Sequence, residues 1–196
     1  MKQAIVIMLA LFVLSGCGWV YQVGSGSSSE YDFSQAGAEV LPFEFINQEG
    51  NAYGTEQLEG QYWLANMVFT HCPSVCLTMT PNMQRLQGSM QEEGIDMSFV
   101  SFSVDPERDT VEQLYSYGTN VGADFESWQF LTGYTVDEIA EFSRESFKST
   151  VQPDGDDVIH STSFFLVDPN GQVIRRYDGL QTNQDSIIKD LLETVQ

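Results

Sequence analysis

Two cysteines four residues apart, Cys72 and Cys76 in FTHCPSVC (69–76), are the residues of this 196-residue chain best suited to chemistry. Three uses fit such a pair: a structural disulfide, a thiol redox couple, or two soft ligands of a metal ion. On a helix, positions i and i+4 share a face with Cα atoms about 6 Å apart, within disulfide reach but toward its long side. The pair lies where an apolar run gives way to a helical pattern. Unpaired N–H groups at a helix start favour thiolates, so lowered thiol pKa values are expected, and Pro73 suits a first turn. The spacing is wider than the C-x-x-C of thioredoxin-like redox enzymes. Two thiolates on one face also suit Cu(I) or Zn(II). A strand-to-helix loop is a poor place for an inert buried disulfide.

A metal site needs a third donor, and the chain has two histidines. His71 adjoins Cys72, but its side chain is expected to diverge from the cysteine face. His160, in DDVIHSTSFFLVD (156–168), stands at the entrance of an apolar run, where a lone histidine is often only a structural hydrogen-bonder. If it joins the cysteines, the Cys2His set suits three-coordinate Cu(I) and, with an added oxygen or water, Cu(II). Met79 and Met83 carry thioethers, but at helical spacing they read as core. Asp154, Asp156 and Asp157 read as solvated turn residues, and QPDGDD lacks the spacing of a calcium loop. No phosphate-binding glycine loop or serine-nucleophile motif stands out.

The flanking sequence decides where this chemistry takes place. Met1 and Lys2 precede an apolar run at 4–14. At about 1.5 Å per residue that run falls far short of a hydrocarbon core of roughly 30 Å, so it reads as the h-region of a secretory signal. LSGC (14–17) resembles a bacterial lipobox. Residues 1–16 are therefore expected to be a signal peptide and Cys17 a lipidated anchor outside the cytoplasm. The Gly- and Ser-rich stretch 17–39 reads as a flexible tether, and 40–196 as one domain. With 28 acidic against 8 basic residues, the net charge of −20 argues against nucleic acid or an anionic membrane face as partner. It suits a solvated, exported, monomeric protein.

The domain's pattern is α/β. LPFEFIN followed by QEGNAYG signals an early hairpin, and YWLANMVF (62–69) an interior strand. Residues 76–92 carry Met79, Met83, Leu86 and Met90 at helical spacing. IDMSFVSFSVD (95–105) reads as a strand, and 109–121 and 135–147 as helices with Asp-Thr or Thr at their starts. STSFFLVDPNGQVIRRY (161–177) reads as two strands about a Pro-Asn-Gly turn, and 183–195 as an amphipathic terminal helix. This is the order of a thioredoxin-like domain, a central mixed sheet flanked by helices, with an N-terminal hairpin and an insertion.

FTHCPSVC, SVDPERDT (103–110), WQFLTG (128–133) and VIHSTSFFLVDPNG (158–171) together resemble the Sco/SenC family of copper-binding, thioredoxin-fold assembly proteins, from about residue 40 to the C-terminus. The resemblance implies that Cys72, Cys76 and His160 are copper ligands. It also implies copper delivery to, or cysteine reduction in, the binuclear Cu(A) centre of cytochrome c oxidase subunit II. Asp105 matches the acidic position of the family's DPERD loop and is expected to shape the site rather than ligate. Leu77 departs from the family, which usually has Pro after the second cysteine. Thioredoxin-like oxidoreductases place a cis-proline opposite their cysteines; here IHSTSFF offers an imidazole instead. The alternatives are a thiol–disulfide oxidoreductase acting through Cys72 and Cys76 on an exported partner, a peroxidase using Cys72, and a copper or redox sensor. A chaperone needs no enzymatic turnover, only a thiol reductant to keep its cysteines ready.

Overall fold

An unbroken apolar run must be covered on both faces, and the run at 62–69 lies at the heart of the sheet. A computed structural model of the chain describes residues 29–72, 75–155 and 157–196. The expected signal peptide, Cys17, Pro73 and Asp156 lie outside the described residues. In chain order, the strands β1 (Glu44–Asn47) and β2 (Ala52–Gly54) form a hairpin, followed by the short helix α1 (Thr55–Leu58). Then come β3 (Trp63–Val68), α2 (Cys76–Glu92), β4 (Ser98–Ser103), α3 (Val111–Val121), β5 (Trp128–Thr132) and α4 (Val136–Phe147). A second hairpin, β6 (Val151–Asp154) and β7 (Asp157–His160), leads into β8 (Ser163–Val167), β9 (Val173–Asp178) and α5 (Asp185–Val195).

Seven strands form one mixed sheet in the order β2-β1-β5-β4-β3-β8-β9. β3, β4 and β5 run parallel, while β8 lies antiparallel to both β3 and β9. Every residue of β3 is buried. Its register with β4 pairs Leu64 with Phe99 and Asn66 with Ser101 on one face, and Ala65 with Val100 and Met67 with Phe102 on the other. On the latter face α4 packs Phe142 and Phe147 onto Phe102, and Phe147 onto Phe165, with ring centroids 5.2–5.9 Å apart. The opposite face buries a polar thread that ends at Asn66, whose Nδ2 is buried without a partner. Trp128 Nε1 donates to Ser101 Oγ (2.9 Å), which donates to Asn66 Oδ1 (2.7 Å).

The helices start where the sequence signals them. Thr110 accepts from the Gln113 N–H (3.3 Å) at the start of α3. Thr135 and Glu138 form a reciprocal capping box on α4, at 3.2 and 2.7 Å. α2 lies against α3 and α5.

Two departures from expectation matter. Residues 31–39 are not a free tether but line the edge strand β9. The Phe33 N–H donates to the Ile174 carbonyl (3.0 Å), the Arg176 N–H to Tyr31 and the Val173 N–H to Ala38, while the Tyr31 ring rests on Tyr177. Three apolar side chains, Tyr31, Phe33 and Ala38, override the Gly/Ser-rich composition around them, and the exposed edge of β9 gains a cover. Strands β5 and β6–β7 are additions to the expected elements. β6 and β7 are short and interrupted by Pro153 and a run of aspartates, so no period-2 signal develops.

Candidate metal centre

β3 ends at Val68, and the chain turns before α2 begins at Cys76. The Cys72 N–H donates back to the Phe69 carbonyl (3.3 Å), which curls the loop. Both cysteines are free thiols and both are buried, 8 % and 4 % exposed. At the helix start the Cys76 N–H points at Cys72 Sγ, 3.4 Å away, so the orphan donor does reach a sulfur. Lowered pKa values for the pair are not found at Cys76, however. Burial pushes its thiol far up, and the hydrogen bond with Cys72 and the nearby Asp109 add to the rise. A soft cation that replaces the proton is what such a thiol needs in order to ionise.

Pro81 sits inside α2, where it removes an N–H that would bond the Leu77 carbonyl. The first turn is held instead by Thr78 and Met79 N–H groups, both donating to the Val75 carbonyl. Leu77 is 71 % exposed, so its departure from proline costs no core contact. Met79 and Met83 are buried core residues, as their spacing indicated.

His160 closes β7, opposite Val151 of β6. Its imidazole stands edge-to-face against Phe69, the residue whose carbonyl holds Cys72, with ring centroids 5.7 Å apart. Nδ1 lies 2.9 Å from the Ser161 carbonyl, an oxygen that can only accept, so Nδ1 carries the proton. That leaves Nε2 with a lone pair, and Nε2 is buried without a hydrogen-bond partner. Burial holds the imidazole below its ordinary pKa and so keeps it neutral. A neutral ring, one nitrogen pinned by a backbone carbonyl and the other bare, is the form in which histidine ligates metals. The Cys72, Cys76 and His160 donor atoms are not all within 4.8 Å of one another. Among the described residues, the trio that meets this distance is His71, Asp105 and Asp109. A shared ion therefore requires the cysteine loop or the β6–β7 hairpin to close inward.

The acidic loop after β4 divides its labour in a way the sequence did not reveal. Asp105, expected to shape the site, forms an ion pair with Arg108. Asp109 instead reaches the cysteine loop. Its carboxylate, 0 % exposed, accepts from the Thr70 N–H (3.2 Å), the Thr70 hydroxyl (2.7 Å) and the Ser103 hydroxyl (2.6 Å). Burial raises its pKa against the pull of these hydrogen bonds. In the sequence, Asp109-Thr110 looks like a helix cap; the structure gives capping to Thr110 and leaves Asp109 free to turn inward. His71 is exposed, its Nδ1 3.0 Å from Thr70 Oγ1 and 4.0 Å from the Asp109 carboxylate. Asp154 and Asp157 are exposed and flank the turn of the β6–β7 hairpin, as expected of turn residues.

Known proteins resemble the chain over most of its length. The family model described as SCO1/SenC matches residues 32–196. The SCO1 protein homolog of Bacillus subtilis is 46% identical over 156 residues, spanning 78% of this chain and 81% of that one. A solved structure of BsSco, described as a member of the Sco family of cytochrome c oxidase assembly proteins with a disulfide switch, superposes with a TM-score of 0.73 at 45% identity. It covers 80% of this chain and 93% of its own. Arabidopsis thaliana ScoI, solved with copper bound, has a TM-score of 0.67 at 27% identity and covers 80% and 99% of the two chains.

Proposed function

Since the chain belongs to the SCO1/SenC family, we propose that it is an extracytoplasmic copper-binding assembly factor that delivers copper to the Cu(A) centre on subunit II of a cytochrome c oxidase. Cys72 and Cys76 supply two thiolates and His160 Nε2 the third donor; copper is their cargo. The observation that carries this reading is the buried, unpartnered Nε2 of His160, beside a ring that packs on the residue anchoring Cys72. A buried nitrogen without a partner costs stability, and a soft cation removes that cost.

The chain's own residues account for capture and release. Loading displaces the protons of both thiols and draws the imidazole and the two sulfurs together. The first turn of α2, which carries Cys76, can give, because Pro81 leaves it one hydrogen bond short. Unloading proceeds by exchange, each protein donor giving way in turn to a thiolate of the partner, so the cargo is never set free in water. If Cys72 and Cys76 instead join as a disulfide, with loss of two protons and two electrons to a thiol–disulfide partner, both sulfur donors are lost. The redox state of the pair thus gates loading. Cys17, as a lipid anchor, would hold the domain at the membrane that carries the oxidase.

The test is anaerobic competition of the reduced protein against a Cu(I) chelator, for wild type and His160→Ala. Tight binding of one copper, weakened tenfold or more by the substitution, supports the Cys2His site. Equal binding by both proteins, with disulfide-reductase activity retained in His160→Ala, moves the assignment to a thiol–disulfide oxidoreductase.

A further inference from the structure

The buried carboxylate behind the cysteine loop has a consequence for the oxidation state of the cargo. Asp109 is fully enclosed, and the hydrogen bonds it receives from Thr70 and Ser103 come from donors. The Ser103 oxygen accepts from the Asp105 N–H (3.1 Å), so its own proton is free to face Asp109. These three donors favour the ionised carboxylate and work against burial and the neighbouring Asp105, which favour the protonated form. Through Thr70, two residues before Cys72, this charge is fixed to the loop that carries the sulfurs.

Two thiolates and a neutral imidazole leave a Cu(I) site with one net negative charge and a Cu(II) site with none. A fixed negative charge in a poorly screened interior repels the first and not the second. We propose that Asp109 is a positioning residue whose buried charge sets the oxidation-state preference of the site, favouring Cu(II) over Cu(I). The proposal rests on the copper reading above.

The experiment measures the dissociation constants of both Cu(I) and Cu(II) on the purified, reduced full chain, anaerobically, each against a chelator specific for that ion. Asp109→Asn keeps the shape and removes the charge. It should shift the ratio of the two constants toward Cu(I) on the order of tenfold. Thr70→Val keeps the charge and removes a donor, so both constants should weaken together and their ratio hold. Asp109→Leu combined with Thr70→Val and Ser103→Ala removes donors along with acceptor. That variant reads the same ratio should Asp109→Asn pack poorly, and it should shift the same way. A ratio within about twofold of wild type in both charge-removing variants, with copper still bound, overturns the proposal and leaves Asp109 as a loop clamp alone. If the wild type binds neither ion, the copper reading falls and this proposal with it.

Discussion

Replacing His160 by Phe should stabilise the metal-free protein and cut its stabilisation by copper. In the apo chain, the buried Nε2 lacks a partner, a defect that costs about 1–3 kcal/mol. Against this, Nδ1 gives one hydrogen bond to the Ser161 carbonyl, worth about 1 kcal/mol. Ser161 is half-buried, so water can take over that carbonyl. A phenyl ring keeps the edge-to-face contact with Phe69. A cleft of about 290 Å³ lined by Phe147, Ile159, His160 and Phe165 has room for the extra ring atom. The balance is a gain of about 1 kcal/mol, or about 2–4 °C in Tm for a domain of this size. Urea and thermal unfolding of both proteins, reduced and with a chelator present, measure it. With copper at a hundred times its dissociation constant, the wild type should gain about 2.7 kcal/mol and the variant, if its site is tenfold weaker or more, about 1.4 kcal/mol or less. The reasoning is refuted if His160→Phe loses 1 kcal/mol or more in the apo state: the imidazole would then be a structural hydrogen-bonder, and its bare nitrogen no mark of a ligand.

Three further outcomes are expected. Because burial holds the His160 imidazole below its ordinary pKa of 6.5, the unfolded chain takes up that proton first. Apo stability from this group is thus complete above pH 6.5 and is lost as pH falls below it, a slope that denaturant titrations across pH 5–7 should show and that His160→Phe should reduce. Gly179→Ala would set a Cβ 2.5 Å from the Thr162 carbonyl, on the backbone just after His160. It should cost about 1–3 kcal/mol of stability by urea unfolding and weaken copper binding along with it, because that backbone cannot yield locally. Leu77→Pro, which restores the family's usual residue, changes an exposed first-turn position where a missing N–H is tolerated. Unfolding and copper affinity should both stay near wild type, within about 0.5 kcal/mol; a larger loss would show that Leu77 shapes the loop.

The elements with one strong local signal were legible. The apolar run of β3, the spaced methionines of α2, the capping threonines of α3 and α4 and the Pro-Asn-Gly turn before β9 each carry their structure in a few adjacent residues. Their order spelled a thioredoxin-like sheet. The rest depends on pairing that no single segment displays. Residues 31–39 look like a linker until β9 offers them an edge, and β6–β7 become a hairpin only by pairing with each other.

The same division runs through the site. The sequence by itself determined the donor inventory, two cysteines behind a strand and one histidine at another strand's entrance, because residue type and spacing are local properties. Only the tertiary structure decided what state those donors are in. Burial leaves Nε2 of His160 bare and pushes the Cys76 thiol up, when the helix start alone argued for lowering it. It also turned Asp109, which reads as a helix cap, into the carboxylate that ties β4 to the cysteine loop. Hydrogen-bond partners and desolvation arise when segments far apart in the chain enclose the same atom, so no window of sequence contains them.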